Sequence, residues 1–253
     1  MKYFIIPPME PSHIFFTFAA VADGLFLLAQ ELKQADLDML DAISQLPVPK
    51  MLDNGVYEKQ QLDFENVLEL AECVRADYVI LPDDPWGSPD HSLRRQLEAY
   101  DDYRHEIFQF IGVPHGHNFV QYWDQCNALA RRVGFLGMSI ITVWKRRGGM
   151  RRTRPYWVHL VAKAFPDVKM HLLGLDQPAE LFCVKHIENV VSFDTTLPLT
   201  YAYRDRVLPF FCMERVERMP VKWSKRLTHS RLALALHNIN KLREWARSGS
   251  DTY

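Results

Sequence analysis

Acidic residues close several short apolar runs of this chain. Asp53 and Asn54 end PKMLDNG (49–55), Asp83 and Asp84 end DYVILPDD (77–84), and Asp194, with Thr195 and Thr196, ends NVVSFDTTLP (189–198). His115 and His117 follow EIFQFIGVPHG (106–116) in the same way, and Gly174 and Asp176 follow KMHLLGL (169–175). A carboxylate just beyond a buried run is a helix cap, an ion-pair partner or a reacting group. Capping explains any one of them, but it does not require acids at three such corners together. Two facing carboxylates suit chemistry at a sugar carbon. One, ionised, attacks or stabilises an oxocarbenium-like centre, while the other moves protons on the leaving or entering group. Like charges in one pocket also push their pKa values apart, which separates the two roles.

The elements that must position these groups are legible as a repeat of strand and helix. Besides the runs already quoted, KYFIIP (2–7), GFLGMSIITV (134–143) and, more weakly, LPFFCMERV (208–216) read as strands. They are continuously apolar rather than alternating, as strands buried on both faces of a parallel sheet are. Helical periodicity appears between them. Leu62, Val67, Leu70 and Val74 share one side of 58–75, and 90–105 is polar outside. Asn118 is placed to cap a helix running to Gly134, with Phe119, Tyr122, Trp123, Cys126 and Leu129 as its apolar stripe. A last helix over about 229–247 puts Leu232, Leu236, Ile239, Leu242 and Trp245 inward. The profile predicts an α/β fold, a single-domain (β/α)8 TIM-like barrel spanning 1–253, with a doubly wound open sheet as the alternative. No G-x-G-x-x-G and no P-loop is present, which disfavours a nucleotide-cradling version. In a barrel the site lies at the C-terminal ends of the strands, where these acids fall.

Composition narrows the classes. With 253 residues, 48% hydrophobic and 24% charged, the chain is ordinary globular material. A net charge of −1 provides no overall attraction to polyanions or anionic membranes, so any such binding must be local. One local patch stands out. KRRGGMRRTR, 145–154, carries Lys145, Arg146, Arg147, Arg151, Arg152 and Arg154 with no acid between them. It is either a solvated loop or a clamp on nucleic-acid phosphates, with Gly148 and Gly149 giving the backbone freedom to follow a strand. The four cysteines are scattered and form no C-x-x-C, which argues against a cysteine zinc site or a disulfide framework and for a cytoplasmic setting. The N-terminus reads as a first strand rather than a signal peptide. No apolar run is long enough to predict a membrane span.

The order LDNGVYE, LPDD, VPHG, HLLGL, SFDTTLP resembles the motif order of the tRNA-guanine transglycosylase superfamily, over roughly residues 50–200. The resemblance implies a glycosyltransferase. Asp194 would be its nucleophile, forming a covalent aspartyl-glycosyl intermediate, and Asp53 its general acid/base. Asn54 and Gly55 share the Asp53 motif and would line the substrate. Asp83 or Asp84 would read the purine. His115, followed by Gly116, stands where the family has a base-reading glutamine, and Gly174 and Leu175 form the turn whose backbone contacts the base. The departures are plain. The family's cysteine-histidine zinc site is missing, and LTYAYR replaces its T-R-x-x-R segment, leaving Arg204 as a partial stand-in. The zinc-less form is more similar to phage and bacterial DNA-guanine transglycosylases. That implies DNA as partner, a 7-deazaguanine base as co-substrate, no cofactor, and host cytoplasm if phage-encoded. A tRNA substrate is the alternative. Two other readings stay open: a metal-dependent barrel hydrolase holding its ion on His115, His117 and Asp83 or Asp194, and a non-catalytic nucleic-acid-binding subunit. Tyr57, Trp86, Phe193 and Tyr201 are the aromatic residues near the expected pocket.

Overall fold

The computed structural model describes residues 1–55, 62–139, 154–209 and 227–248. Eight parallel strands form one sheet: β1 (Lys2–Ile5), β2 (Gly24–Leu28), β3 (Lys50–Asp53), β4 (Tyr78–Ile80), β5 (Gln109–Ile111), β6 (Phe135–Ser139), β7 (Lys169–Leu173) and β8 (Val190–Thr195). Their order is β5-β4-β3-β2-β1-β8-β7-β6. The two ends meet just beyond β5. There Gly112 bridges to Leu136, its N–H donates to the Phe135 carbonyl (3.0 Å), and its own carbonyl accepts from the Gly137 N–H (2.8 Å). The sheet thereby closes on itself, and the fold is a (β/α)8 barrel rather than an open doubly wound sheet.

One strand, β2, was missed by sequence reasoning. It is GLFLL, and with it the described sheet has eight strands; of the expected strand 208–216, residues 210–216 lie outside the described residues. In FFTFAAVADGLFLLAQEL, helix, strand and helix are all apolar, so no change of period marks the boundaries. The ten helices among the described residues are α1 (Ser12–Ala19), α2 (Ala29–Leu32), α3 (Leu37–Ser44), α4 (Phe64–Val74), α5 (Pro89–Tyr103), α6 (Phe119–Arg132), α7 (Arg154–Ala164), α8 (Ala179–Val184), α9 (Leu197–Tyr203) and α10 (His229–Arg247). Their starts follow capping chemistry. Asn118 accepts the Gln121 N–H (2.9 Å) before α6, and Ser88 with Pro89 opens α5.

The strands bury both faces. Outward side chains pack under the helices in one large core. Inward ones (Phe4, Phe26, Leu28, Met51, Ile80, Ile111, Val113 and Phe135) fill the barrel. This two-sided burial is why the strand sequences are continuously apolar.

The chain ends are fastened to one carboxylate. Asp23, just before β2, accepts from the Tyr3 N–H (3.2 Å), from Arg243 Nη2 (2.7 Å) and from Arg247. Burial works against ionisation of Asp23, but Arg243, the Tyr3 amide and Arg247 outweigh it and hold its carboxyl below the ordinary 3.8. A depressed folded-state value stabilises above the unfolded one and loses that contribution as pH falls through the folded value. Wild type is therefore expected to melt higher than Asp23→Asn at neutral pH, and the gap to shrink below about pH 4, as thermal melts across acid pH would record.

Candidate active site

The mouth of the barrel is organised around Asp194. β8 pairs with β1 in the register Phe4–Asp194, and Phe4 lies in the barrel interior, so Asp194 faces inward near the strand's end. Its Oδ1 accepts from His171 Nε2 (3.1 Å) and from the Gly174 N–H (2.8 Å). Among the described residues its Oδ2 carries neither of these bonds. Gly174 has φ +66°, a left-handed turn that brings its amide to the carboxylate at the end of β7. The corner is laced further: the Leu175 N–H donates to the Asp194 carbonyl (2.8 Å), Thr195 Oγ1 to the Leu175 carbonyl (2.5 Å), and Tyr3 Oη to the Thr195 carbonyl (3.0 Å). The threonine after the aspartate thus holds the turn, and Leu197-Pro198 starts α9 directly beyond it. Gly174 and Leu175 do meet the candidate nucleophile, through their amides.

His171 was not singled out in the sequence, where a lone histidine inside KMHLLGL reads as a core residue. It is 0% exposed, stacked on Phe26 (5.9 Å, 16°) and edge-on to Phe4 (5.8 Å). Its Nδ1 lies 2.8 Å from Ser192 Oγ. With Nε2–H directed at a carboxylate, Nδ1 is the acceptor and Ser192 the donor; the tautomer is assigned from these partners.

A second cluster occupies the ends of β2 to β5. Asp53 ends β3 half-buried, two residues beyond the inward Met51, so alternation turns it into the mouth. Asn54 is 1% exposed and donates through Nδ2 to the Leu81 carbonyl (3.0 Å) and to Asp83 Oδ1 (2.9 Å). Asp83 Oδ2 lies 2.7 Å from His115 Nε2. Asp84 does something different: its Oδ1 accepts the Trp86 and Gly87 amides (2.9 Å each), which builds a turn. Asp83 is therefore the acid of the cluster. It does not present two bare oxygens to a ligand, since each already holds a side chain.

Among the described residues two buried atoms of this region have no hydrogen-bond partner: His115 Nδ1 and Gln30 Oε1. Leaving a buried polar atom unpaired costs about 1–3 kcal/mol, and natural structures keep few of them. Gln30, just past β2, is a second residue missed by sequence reasoning. Its amide lies so close to Gly55 that a Cβ there would stand 2.2 Å from Oε1, and Gly55 also has φ +72°, so both space and backbone demand glycine. Gly116 is constrained by space alone, because a Cβ would meet the Tyr122 backbone N at 2.4 Å. His117 is exposed while His115 is buried, so the histidine pair of the metal-hydrolase alternative does not converge. Among the described residues no three His, Cys, Asp or Glu side chains are placed to share an ion.

Arg154 corrects an expectation. It was grouped with the basic segment as a phosphate contact, yet it is 3% exposed at the start of α7. Its Nε and Nη2 grip Glu180 (2.5 and 2.6 Å), and Nη1 donates to the carbonyls of Met138 (3.1 Å) and Leu173 (2.6 Å). Burial alone would lower its pKa, but Glu180 foremost, then Asp176 and Asp194, raise it above the usual arginine value. A guanidinium so enclosed cannot reach a phosphate; it ties β6 to β7 beneath the Gly174 turn. Lys145, Arg146, Arg147, Arg151, Arg152 and Tyr57 lie outside the described residues. Arg204 is exposed at the end of α9. Phe193 points away from the mouth, stacked on Tyr3 (5.3 Å), and Tyr201 is buried, while Trp86 is 47% exposed beside the Asp84 turn.

No protein-family model matches the chain, and no protein of curated function matches it in sequence. Solved structures do resemble it. A protein assigned as a fructose-1,6-biphosphate aldolase in Coccidioides immitis superposes with a TM-score of 0.61 at 13% identity, over 96% of this chain and 89% of that one. The YdjI aldolase from Escherichia coli K12 gives 0.55 at 13% identity, over 96% and 88%. D-psicose 3-epimerase from Clostridium cellulolyticum H10, determined with D-tagatose, gives 0.54 at 9% identity, over 98% and 100%. At such identities the likeness shows the fold, a (β/α)8 barrel spanning the chain from end to end.

Proposed function

We propose that the chain is a transglycosylase that exchanges guanine in a polynucleotide, DNA in first place, for a 7-deazaguanine base. The observation that carries this reading is Asp194. An inward carboxylate has one oxygen fixed by two N–H donors, the other takes no hydrogen bond from the described residues, and Asp53 is turned into the same mouth. In the first half-reaction Asp194 Oδ2 bonds to the anomeric carbon. The carbon–N9 bond breaks, its electron pair leaves with guanine, and Asp53 as general acid supplies the proton. In the second half-reaction the incoming base gives its proton to Asp53 and bonds to the same carbon, and the ester breaks to regenerate Asp194. The proton count closes over the cycle, and no redox partner is needed.

The Asp83–Asn54–His115 cluster supports a reading wall for a donor-rich base. A carboxylate keeps lone pairs beyond the two bonds it already holds, and His115 Nδ1 offers another acceptor. The basic segment, which follows β6 in sequence, would grip phosphates, and a paired target base would have to be turned out of its stack. No described helix is long and apolar enough to cross a membrane. The test is incorporation of radiolabelled guanine into double-stranded DNA, single-stranded DNA and bulk tRNA in parallel. Label entering DNA supports the reading as stated. Label entering only tRNA keeps the chemistry and changes the polymer. Label in none of the three removes base exchange altogether.

A further inference from the structure

We propose that His171 is a positioning residue that sets the balance between the two halves of the exchange, through its hydrogen bond to Asp194. The inference rests on the base-exchange reading and deepens it. His171 touches no substrate, since its ring is walled by Phe4 and Phe26 and has no exposure. It acts on the oxygen that does not attack. Oδ1 takes its N–H at 3.1 Å and the Gly174 N–H at 2.8 Å, which leaves Oδ2 as the nucleophile.

The consequence differs between the two steps. When Oδ2 bonds to the anomeric carbon, the carboxylate charge is lost and Oδ1 becomes an ester carbonyl oxygen. When the ester breaks, the carbon–Oδ2 electron pair returns and the charge spreads again over both oxygens. A donor on Oδ1 therefore favours the departing carboxylate, and it restrains the attacking one. Removing the donor makes Asp194 a better nucleophile and a poorer leaving group. The covalent intermediate should then form readily and persist.

Ser192 adds direction. Its hydroxyl, 2.8 Å from Nδ1, fixes the tautomer that keeps the proton on Nε2. Without it the ring could carry its proton on the wrong nitrogen and turn a lone pair toward Asp194. Ser192 is itself buried in the barrel wall, two residues before Asp194 on the same strand, so it belongs to the support and not to the reacting groups.

The experiment compares wild type with His171→Leu, His171→Gln and Ser192→Ala. Each is mixed with a labelled guanine-containing oligonucleotide of the class that takes label, quenched under denaturing conditions and resolved on a gel for the protein–polynucleotide adduct. Exchange turnover is measured alongside. His171→Leu fills the volume without a donor, and its turnover is expected to fall about 10- to 100-fold, the span of one charge-assisted hydrogen bond, while the adduct fraction rises. His171→Gln keeps an N–H within reach of Asp194 and should stay near wild type. Ser192→Ala, which leaves the ring in place, should raise the adduct by a smaller factor, about 2- to 5-fold. Adduct and turnover falling in parallel in both His171→Leu and Ser192→Ala, in a wild type that exchanges, would overturn the positioning role alone. A wild type with neither adduct nor exchange overturns the base-exchange reading and this proposal with it.

Discussion

Asp194→Asn should stop base exchange, with a loss of about 10⁴-fold or more, while the protein keeps its fold. The argument for asparagine over alanine lies in the hydrogen bonds. Asp194 is buried, and its Oδ1 satisfies His171 Nε2 and the Gly174 amide. Alanine would orphan both donors, at about 1–3 kcal/mol each, and would confuse lost chemistry with lost stability. Asparagine keeps an oxygen for those two donors and places an amide nitrogen, which is no nucleophile, at Oδ2. The expected outcome is a melting temperature within a few degrees of wild type, no covalent adduct and no label incorporation. Wild-type exchange by Asp194→Asn would remove Asp194 from the chemistry.

Glu180→Ala should produce the largest loss of stability. Arg154 is closed in on every side, and Glu180 balances its charge through two parallel bonds of 2.5 and 2.6 Å. Removing one partner of a buried pair leaves an uncompensated charge and costs about 3–5 kcal/mol. For a domain of this size that corresponds to a fall of roughly 6–20 °C in melting temperature. Pairing Glu180→Ala with Arg154→Met removes the stranded charge. The double variant should melt higher than Glu180→Ala alone, although the Met138 and Leu173 carbonyls then lose their donor. Equal melting of the single variant and wild type would show that Arg154 finds another partner.

The barrel was legible because two-sided burial leaves continuous apolar runs, and because Asn118 announces a helix start chemically. β2 was not, since it lies between helices as apolar as itself. The candidate site divides along the same line. Asp53, Asp83 and Asp194 were visible from position alone, as polar residues at the ends of apolar runs. Their partners were not, because the bonds span the chain: Asn54 reaches Asp83 across 29 positions and His171 reaches Asp194 across 23. Arg154 was misread for the same reason. In sequence its neighbours are arginines, but the residue that determines its surroundings is Glu180, 26 positions away. Local charge patterning describes a surface, and Arg154 had left it. Gln30 gave no signal at all, since only the close approach of Gly55 makes its amide distinctive.

The closure between β5 and β6 makes the barrel an unevenly hooped cask. Among the described residues every other pair of neighbouring strands is joined over two to five registered residues, whereas β5 and β6 share one bridge, through Gly112. His115 stands three residues past that bridge, on the side of Asp83 and Asn54, while Asp194 and His171 sit on the other flank. The hydrogen bonds of each group lie wholly on its own flank, so loosening at the seam would separate the two groups and leave those bonds in place. On the base-exchange reading, this seam is where the wall would yield to a polynucleotide unit.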